Sequence, residues 1–522
     1  MQVHKINQQQ LNNKTQPQFG GLADGAVQAL RFLDTNQAWG ACAVDLCCMV
    51  LPRTITDFSR GPSAGFETMR REASGTINHA SVGPVYGTLA GMLVAGAINR
   101  MYGINAKNVF ADGDAVELLS KAHHDVLHGK SDKTYAQEIA DSIMTQGNDK
   151  TPAKSLSKEA KELFVNALEK EIKNHDEENI KLMKNVILSD LGEETNLMLK
   201  RGGKQINADS NTLLKNITSL SSEMFKDKVV ESFKQAKNYA DVKFVKAMKN
   251  FGLKRSLVGL GIGSAIGCAI QPINIYLTKK KTGSDGFVGV EGRTKDNSTK
   301  FKILKTAAAA AFTTFAISTI MNPLKIAKNG KEFLNKIQYK SLNPTMDQFK
   351  LVYGLTIASR LLAARDKDEL REGLVKDTIG FSSWLVLGNV VSKLTLKKLD
   401  KNLVGKTRDE VLFKALKERG IETVKDGKAL SFKELLAKIP ENDAVRKTLR
   451  KFSIAQFAGY AFSAIVLGVG IPKLNIYMTK KSEQKRAAER VANPVNTMYK
   501  PANLAFLSKE IDDSSTSKII NR

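Results

Sequence analysis

The residues with the most chemical potential lie near the N-terminus. Asp45 sits inside the short apolar stretch Gln37 to Pro52, and Arg53, Asp57, Arg60, Glu67, Arg70, Arg71 and Glu72 follow closely. If that stretch enters a membrane, its carboxylate is costly and calls for a partner or a role. Two readings compete: a polar or substrate-binding site at the membrane face, and a structural ion-pair network on an interfacial helix. The second asks less of the residues.

Three of the six histidines crowd together as His123, His124 and His128. On a helix His124 and His128 share a face, a spacing that can bind zinc. Asp125 follows His124 where a zinc-protease helix carries Glu, and no second ligand pair is evident. A solvated polar face is the plainer reading, and no metal or cofactor is expected. Gly129-Lys130-Ser131 and Gly405-Lys406-Thr407 end like phosphate loops. His124 and Asp400 stand where the first glycine belongs, and neither motif follows a strand pattern, so both are rejected. Gly261 and Gly263 begin like a dinucleotide fingerprint but lie in an uncharged helical run. Cys42, Cys47, Cys48 and Cys268 sit in apolar segments with no zinc or disulfide spacing.

No catalytic motif survives, so the weight falls on the elements around these residues. The chain has 522 residues, with 79 Lys and Arg against 53 Asp and Glu, a net charge of +26. Such a balance seeks an anionic partner, nucleic acid or a membrane face. The placement of charge favours anionic lipids. Lys254 and Arg255, Lys279 to Lys281, Lys302 and Lys305, Lys325 and Lys328, and Lys480 and Lys481 end uncharged runs, as Lys and Arg do at the ends of membrane spans. The mean hydropathy of −0.24 is too low for a compact polytopic bundle alone, so a mosaic of spans and soluble parts is expected.

Four uncharged runs approach the roughly 20 residues that cross a bilayer: Ala80 to Asn99, Ser256 to Thr278, Thr306 to Leu324 and Phe452 to Pro472. Three shorter stretches are borderline: Gln37 to Pro52, Leu351 to Ala364, interrupted by Arg360, and Thr378 to Ser392. The last two read as too short to cross. Between the runs lies a helical soluble insert, residues 104–250, in which Phe164, Leu168 and Ile172, then Ile180, Met183, Ile187 and Leu191, recur at helical spacing. Gly202-Gly203 marks a turn within it. A smaller insert, residues 396–450, carries the Asp426-Gly427 pair of a tight hairpin.

One pattern rises above composition. The segment ending Asn274-Ile275-Tyr276-Leu277-Thr278-Lys279-Lys280 returns as Asn475-Ile476-Tyr477-Met478-Thr479-Lys480-Lys481, and Phe251 and Lys246 match Phe452 and Lys447 at the same offset. Both copies end an uncharged run and place Tyr276 or Tyr477 where an aromatic ring meets the interface. The exit of Thr306 to Leu324 through Asn322-Pro323 reads as a degenerate third copy. Gly83, Gly87 and Gly91, and Gly259, Gly263 and Gly267, form ladders that admit a second helix closely. Helix packing explains them better than a pore.

The expected order is therefore a tail (1–23), an N-terminal membrane-associated region (24–103), the helical insert (104–250), membrane helices with the first repeat copy (251–395), the small insert (396–450), the second repeat helix (451–482) and a polar tail (483–522). The first 18 residues lack the apolar core of a signal peptide. With its Asn/Gln-rich start and Phe19-Gly20 step, this tail resembles those of uncharacterised proteins from non-photosynthetic bacterial relatives of cyanobacteria, the Melainabacteria. That resemblance implies a bacterial source, hence an inner-membrane location, and no activity. The fold expected is mainly α: a helical integral membrane protein with four to seven membrane-associated helices. The leading functional expectation is a non-enzymatic scaffold or assembly component, whose insert 104–250 meets a protein partner; oligomers are compatible with the ladders. A transporter or channel comes second, and an enzyme working at the lipid face third.

Overall fold

The computed structural model describes residues 22–58, 62–147, 152–283 and 295–474, with a few positions of the C-terminal tail up to 488. The chain is mainly helical, and among the described residues five helices are long and apolar enough to cross a membrane: Gln37–Ile55, Val82–Tyr102, Lys243–Lys281, Lys367–Leu399 and Ala444–Leu474. The described residues up to Ile471 form one compact unit, from which those beginning at Pro472 are separate.

The first unit has two layers, a helical bundle and a head. Helix α1 (Leu22–Thr35) lies at the head, where Arg31 grips Asp409 through two hydrogen bonds of 2.6 and 2.7 Å. Helices α2 (Gln37–Asp45) and α3 (Leu51–Phe58), joined by a wide π turn at Leu46–Val50, descend away from it. Helix α4 (Pro62–Ala80) returns and continues through a second π turn, Val82–Gly87, into α5 (Thr88–Tyr102), which enters the head.

The larger lobe of the head packs α6 to α11 (Gly113–Leu127, Tyr135–Ser142, Lys158–Lys173, Glu177–Leu191, Ser210–Met224 and Asp227–Lys234) around one core. Phe164, Leu168, Met183, Ile187, Leu213, Ile217 and Leu220 meet there, so the apolar stripes pack on one another. A three-stranded antiparallel sheet, β1 (Ile143–Thr145), β2 (Leu197–Arg201) and β3 (Lys204–Ala208), turns at Gly202-Gly203, both at positive φ. Sequence periodicity misses it, because β1 is three residues long and β3 is mostly exposed.

Helix α12 (Lys243–Thr282) starts in the head core with Phe244 and Met248 and runs 40 residues, so the insert and the first repeat helix share one rod. Pro272 lies inside it without ending it. Its far end meets the start of α4, where Arg70 and Glu67 bond Thr278. Helix α13 (Thr299–Ser318) climbs back toward the head. Helices α14 (Pro323–Lys328) and α15 (Gly330–Ile337) lie there, with Lys331 beside Asp114. Helix α16 (Met346–Leu362) descends to the far end, where the Asp296 amide donates to the Arg365 carbonyl. Helix α17 (Lys367–Ser382) ascends through a third π turn, Ser383–Leu387, into α18 (Gly388–Leu399). The small lobe holds α19 (Arg408–Glu418), the hairpin β4–β5 and α20 (Phe432–Ala437). Asp426 and Gly427 take the positive φ values that its two-residue turn requires. Helix α21 (Ala444–Ile465) descends last, into a fourth π turn, Val466–Gly470.

Three expectations need correction. Thr306 to Leu324 is not one span: α13 ends at Ser318, and the Asn322 side chain caps a new helix that begins at Pro323. A proline suits a first helical position because its missing N–H had no partner there. Thr378 to Ser392 is not short, being the middle of the 33-residue helix Lys367–Leu399. Leu351 to Ala364 also runs between the layers, as α16, with Arg360 turned inward beside Asp377. Three helical passes therefore separate α12 from α21, and the two run in the same direction.

Candidate functional site

The charged residues of the bundle converge. Glu72 on α4 is the hub, 4% exposed, with Lys376 Nζ at 2.9 Å, Arg71 at 3.2 Å and Arg53 at 3.5 Å. Beside it Arg360 on α16 pairs with Asp377 on α17 at 2.8 Å. Asp45, the last residue of α2, is 2% exposed. Its Oδ2 accepts the hydroxyl of Thr76, one turn beyond Glu72, while its Oδ1 has no partner. His79, one turn further along α4, is fully buried against the rings of Phe349 and Tyr353, and neither of its nitrogens is hydrogen-bonded.

The helices that carry these groups form two similar halves. In the first, Arg53 of a descending helix faces Glu72 of the ascending helix. In the second, Arg360 of α16 faces Asp377 of α17. Each ascending helix has a π turn, the first ending on Gly87 and the second just before Gly388. Each then leaves for the head, and a long descending helix returns from it. Lys376 reaches Glu72 across the seam between the halves.

The sequence-derived cluster is thus split. Asp45, Arg53, Arg71 and Glu72 are in it. Glu67 and Arg70 instead hold the end of α12, where Arg70 also reaches the Asn274 carbonyl and Asn274 bonds Ser74. Arg60 and the side chain of Asp57 lie outside the described residues. Thr76, His79, Arg360, Lys376 and Asp377 were not foreseen. The signal was there for two of them: Arg360 interrupts one apolar stretch and Asp377 borders another.

The glycine ladders face each other through aromatic rings. A Cβ on Gly263 would stand 2.9 Å from the Tyr86 ring, and one on Gly259 2.9 Å from Tyr339. Tyr339 also covers Gly87, Gly91 lies under Arg255 and Lys107, Gly267 abuts Thr356, and Gly83 meets the Leu342 carbonyl. Tyr86 donates to Asn78, which donates to the Gly263 carbonyl, so these polar groups between the helices are satisfied. Of the repeat motif, Asn274 is buried, Tyr276 and Tyr477 are exposed, and Asn475 lies outside the described residues.

The solvated face expected of the histidines is not found, since His123 and His124 are buried and only His128 is exposed. His124 and His128 stack at 4.0 Å, each bonded to a backbone carbonyl, and no metal-holding group of side chains occurs among the described residues. Gly129 follows α6 in a turn, and Thr407 caps α19 with Glu410, so neither glycine-lysine motif forms a phosphate cradle. No protein-family model, curated protein or solved structure matches the chain.

Proposed function

We propose that the protein is an integral membrane protein that moves a small ion or charged solute across the bilayer, with the Glu72 cluster as its working site. One observation carries this reading: charge is inside the bundle and apolar surface is outside. Asp45, Glu72 and Asp377 are buried, while Leu93 is 71%, Phe457 65% and Ile77 64% exposed. In water that distribution is inverted; in lipid it is the stable one. Each charge at membrane depth costs about 2.5–3.5 kcal/mol, so intramembrane ionisable groups mark pathways more often than they serve packing. The seam between similar halves is where transporters place such sites, and π turns recur at functional positions. The bilayer is the first partner, with Lys279 to Lys281 reaching anionic headgroups; the tail's resemblance suggests a bacterial inner membrane.

The test is ion flux in vesicles reconstituted with the purified chain. Flux that disappears in Lys376→Met supports the reading. Sealed vesicles inert to protons, alkali cations, halides and small organic anions would defeat it.

A second reading, a non-enzymatic assembly component, draws on the head. The two lobes dock there: Leu188 packs with Leu412, Phe413 and Leu416, Asn185 donates to the carbonyls of Thr423 and Leu430, and Lys184 bridges Glu194 and Asp409. Burial and the neighbouring Asp409 raise the Glu194 carboxyl above its ordinary range. A layer fixed this firmly suits partner docking. Discrete in-cell crosslinks from α8, with inert vesicles, would favour it.

A further inference from the structure

We infer that the Asp45 carboxyl is a proton-binding site of the bundle; the inference deepens the transport reading and names the proton as the ion handled there. Asp45 differs from the two other buried carboxylates described in the bundle, Glu72 and Asp377. Glu72 has three cations in contact and Asp377 has one. Among the described residues Asp45 has no cation within ion-pair distance, and its sole hydrogen bond is from Thr76. Its second oxygen is buried and unpartnered. A carboxylate left so is expensive, whereas a proton on that oxygen removes the charge where nothing else does.

The surroundings favour a proton over a metal cation. The charged and titratable groups that face Asp45 are Cys42 and Cys48 from its own segment, Arg53 from α3, Glu72 from α4, and Tyr353 and Arg360 from α16. A hard cation needs six or more oxygens. Here one carboxylate and one hydroxyl are offered, with two guanidinium groups nearby to repel it. A proton needs a single lone pair. Asp45 also lies at a joint, since α2 ends on it and the π turn begins at Leu46. A shift of that turn by one residue would change what its carboxyl faces.

The test is infrared difference spectroscopy of the full chain in lipid, titrated across the neutral range, with proton flux measured on the same vesicles. The expected result is a protonated-carboxyl C=O band that fades as pH rises and is missing in Asp45→Asn. Thr76→Val removes the hydrogen bond that stabilises the anion, so the band moves to higher frequency and persists to more alkaline pH. This variant keeps the test open if Asp45→Asn fails to fold. No band that is lost in Asp45→Asn, or a Thr76→Val titration identical to that of the unaltered chain, overturns the inference. The band without any proton flux leaves the site standing and defeats proton transport. Flux undiminished in Asp45→Asn defeats the role of Asp45 and leaves the transport reading intact.

Discussion

Lys376 and Glu72 stand 2.9 Å apart although 304 residues separate them in the chain. One comes from each half of the bundle, and both side chains are largely shielded, at 16% and 2% exposure. The pair is the point where the halves are tied by charge rather than by packing. Arg53 and Arg71 add to it, so three cations share the single negative charge of Glu72.

Removing Glu72 should therefore hurt more than removing any one of its partners. Glu72→Gln leaves Lys376, Arg53 and Arg71 without their shared anion, and orphaning one side of a buried pair costs about 3–5 kcal/mol. Lys376→Met leaves Glu72 with two guanidinium groups and should cost less. Unfolding titrations in detergent would rank the two. The double variant should be milder than the sum of the singles. Equal, additive losses would mean that the pair is not coupled.

The glycine ladder gives a comparison within one helix. Gly263→Ala drives a methyl into the Tyr86 ring, and overpacking of this kind costs about 1–3 kcal/mol. Gly261, two residues earlier, has nothing within 4 Å of a built Cβ. There alanine should stabilise by up to about 1 kcal/mol, because it holds a helix better than glycine. Thermal stability in detergent should move in opposite directions for the two variants. A Gly263→Ala variant as stable as the unaltered chain would show that the ladder does not face Tyr86.

These cases also show what the residues reveal unaided. Helical content was readable because Phe164, Leu168 and Ile172 lie on one stripe, and the small hairpin because Asp426-Gly427 admits few other conformations. The N-terminal half of the site was readable because Asp45 breaks an apolar run locally. Its other half was not. Lys376 is paired with Glu72 across 304 residues, and Arg360 with Asp377 only through the packing of α16 on α17. Read locally, Arg360 merely interrupted one run and Asp377 bordered another. Thr306 to Leu324 misled for the converse reason: an uncharged composition says nothing about where the backbone breaks, and Asn322-Pro323 breaks it.

The head should be acid-sensitive through His123. Burial chiefly, and His124 beside it, push the His123 imidazole down to about 4 from an ordinary 6.5. Its ring sits among Tyr135, Phe225 and Phe233, and its Nε2 has no partner. Above pH 6.5 the ring is neutral in both the folded and the unfolded chain and costs nothing. As pH falls below that, the unfolded chain takes a proton that the folded one refuses. Stability then declines by about 3 kcal/mol in all, levelling near pH 4. Hydrogen exchange of the α6 peptides should accelerate over that window. His123→Phe should flatten the response, and an unchanged response would place the acid sensitivity elsewhere.

Both lobes of the head interlock through Asn185 and the carbonyls of Thr423 and Leu430, so they lie on one side of any bilayer that the bundle crosses. Helices α12 and α21 both begin at that layer and descend from it. The far end of α12, with Lys279 to Lys281, is on the other side. Between the two helices, α13 ascends, α16 descends and α17 with α18 ascends again, which is the odd number of passes that parallel helices require. In a chain with its native cysteines replaced, single cysteines at Lys130 in the large lobe and Lys428 in the small one should react with an impermeant maleimide from the same side of sealed vesicles. A cysteine at Lys280 should react only from the opposite side. All three positions are exposed, so protection cannot come from burial. Labelling of Lys280 together with Lys130 would mean that α12 does not cross, and the transmembrane reading of the bundle would fall with it.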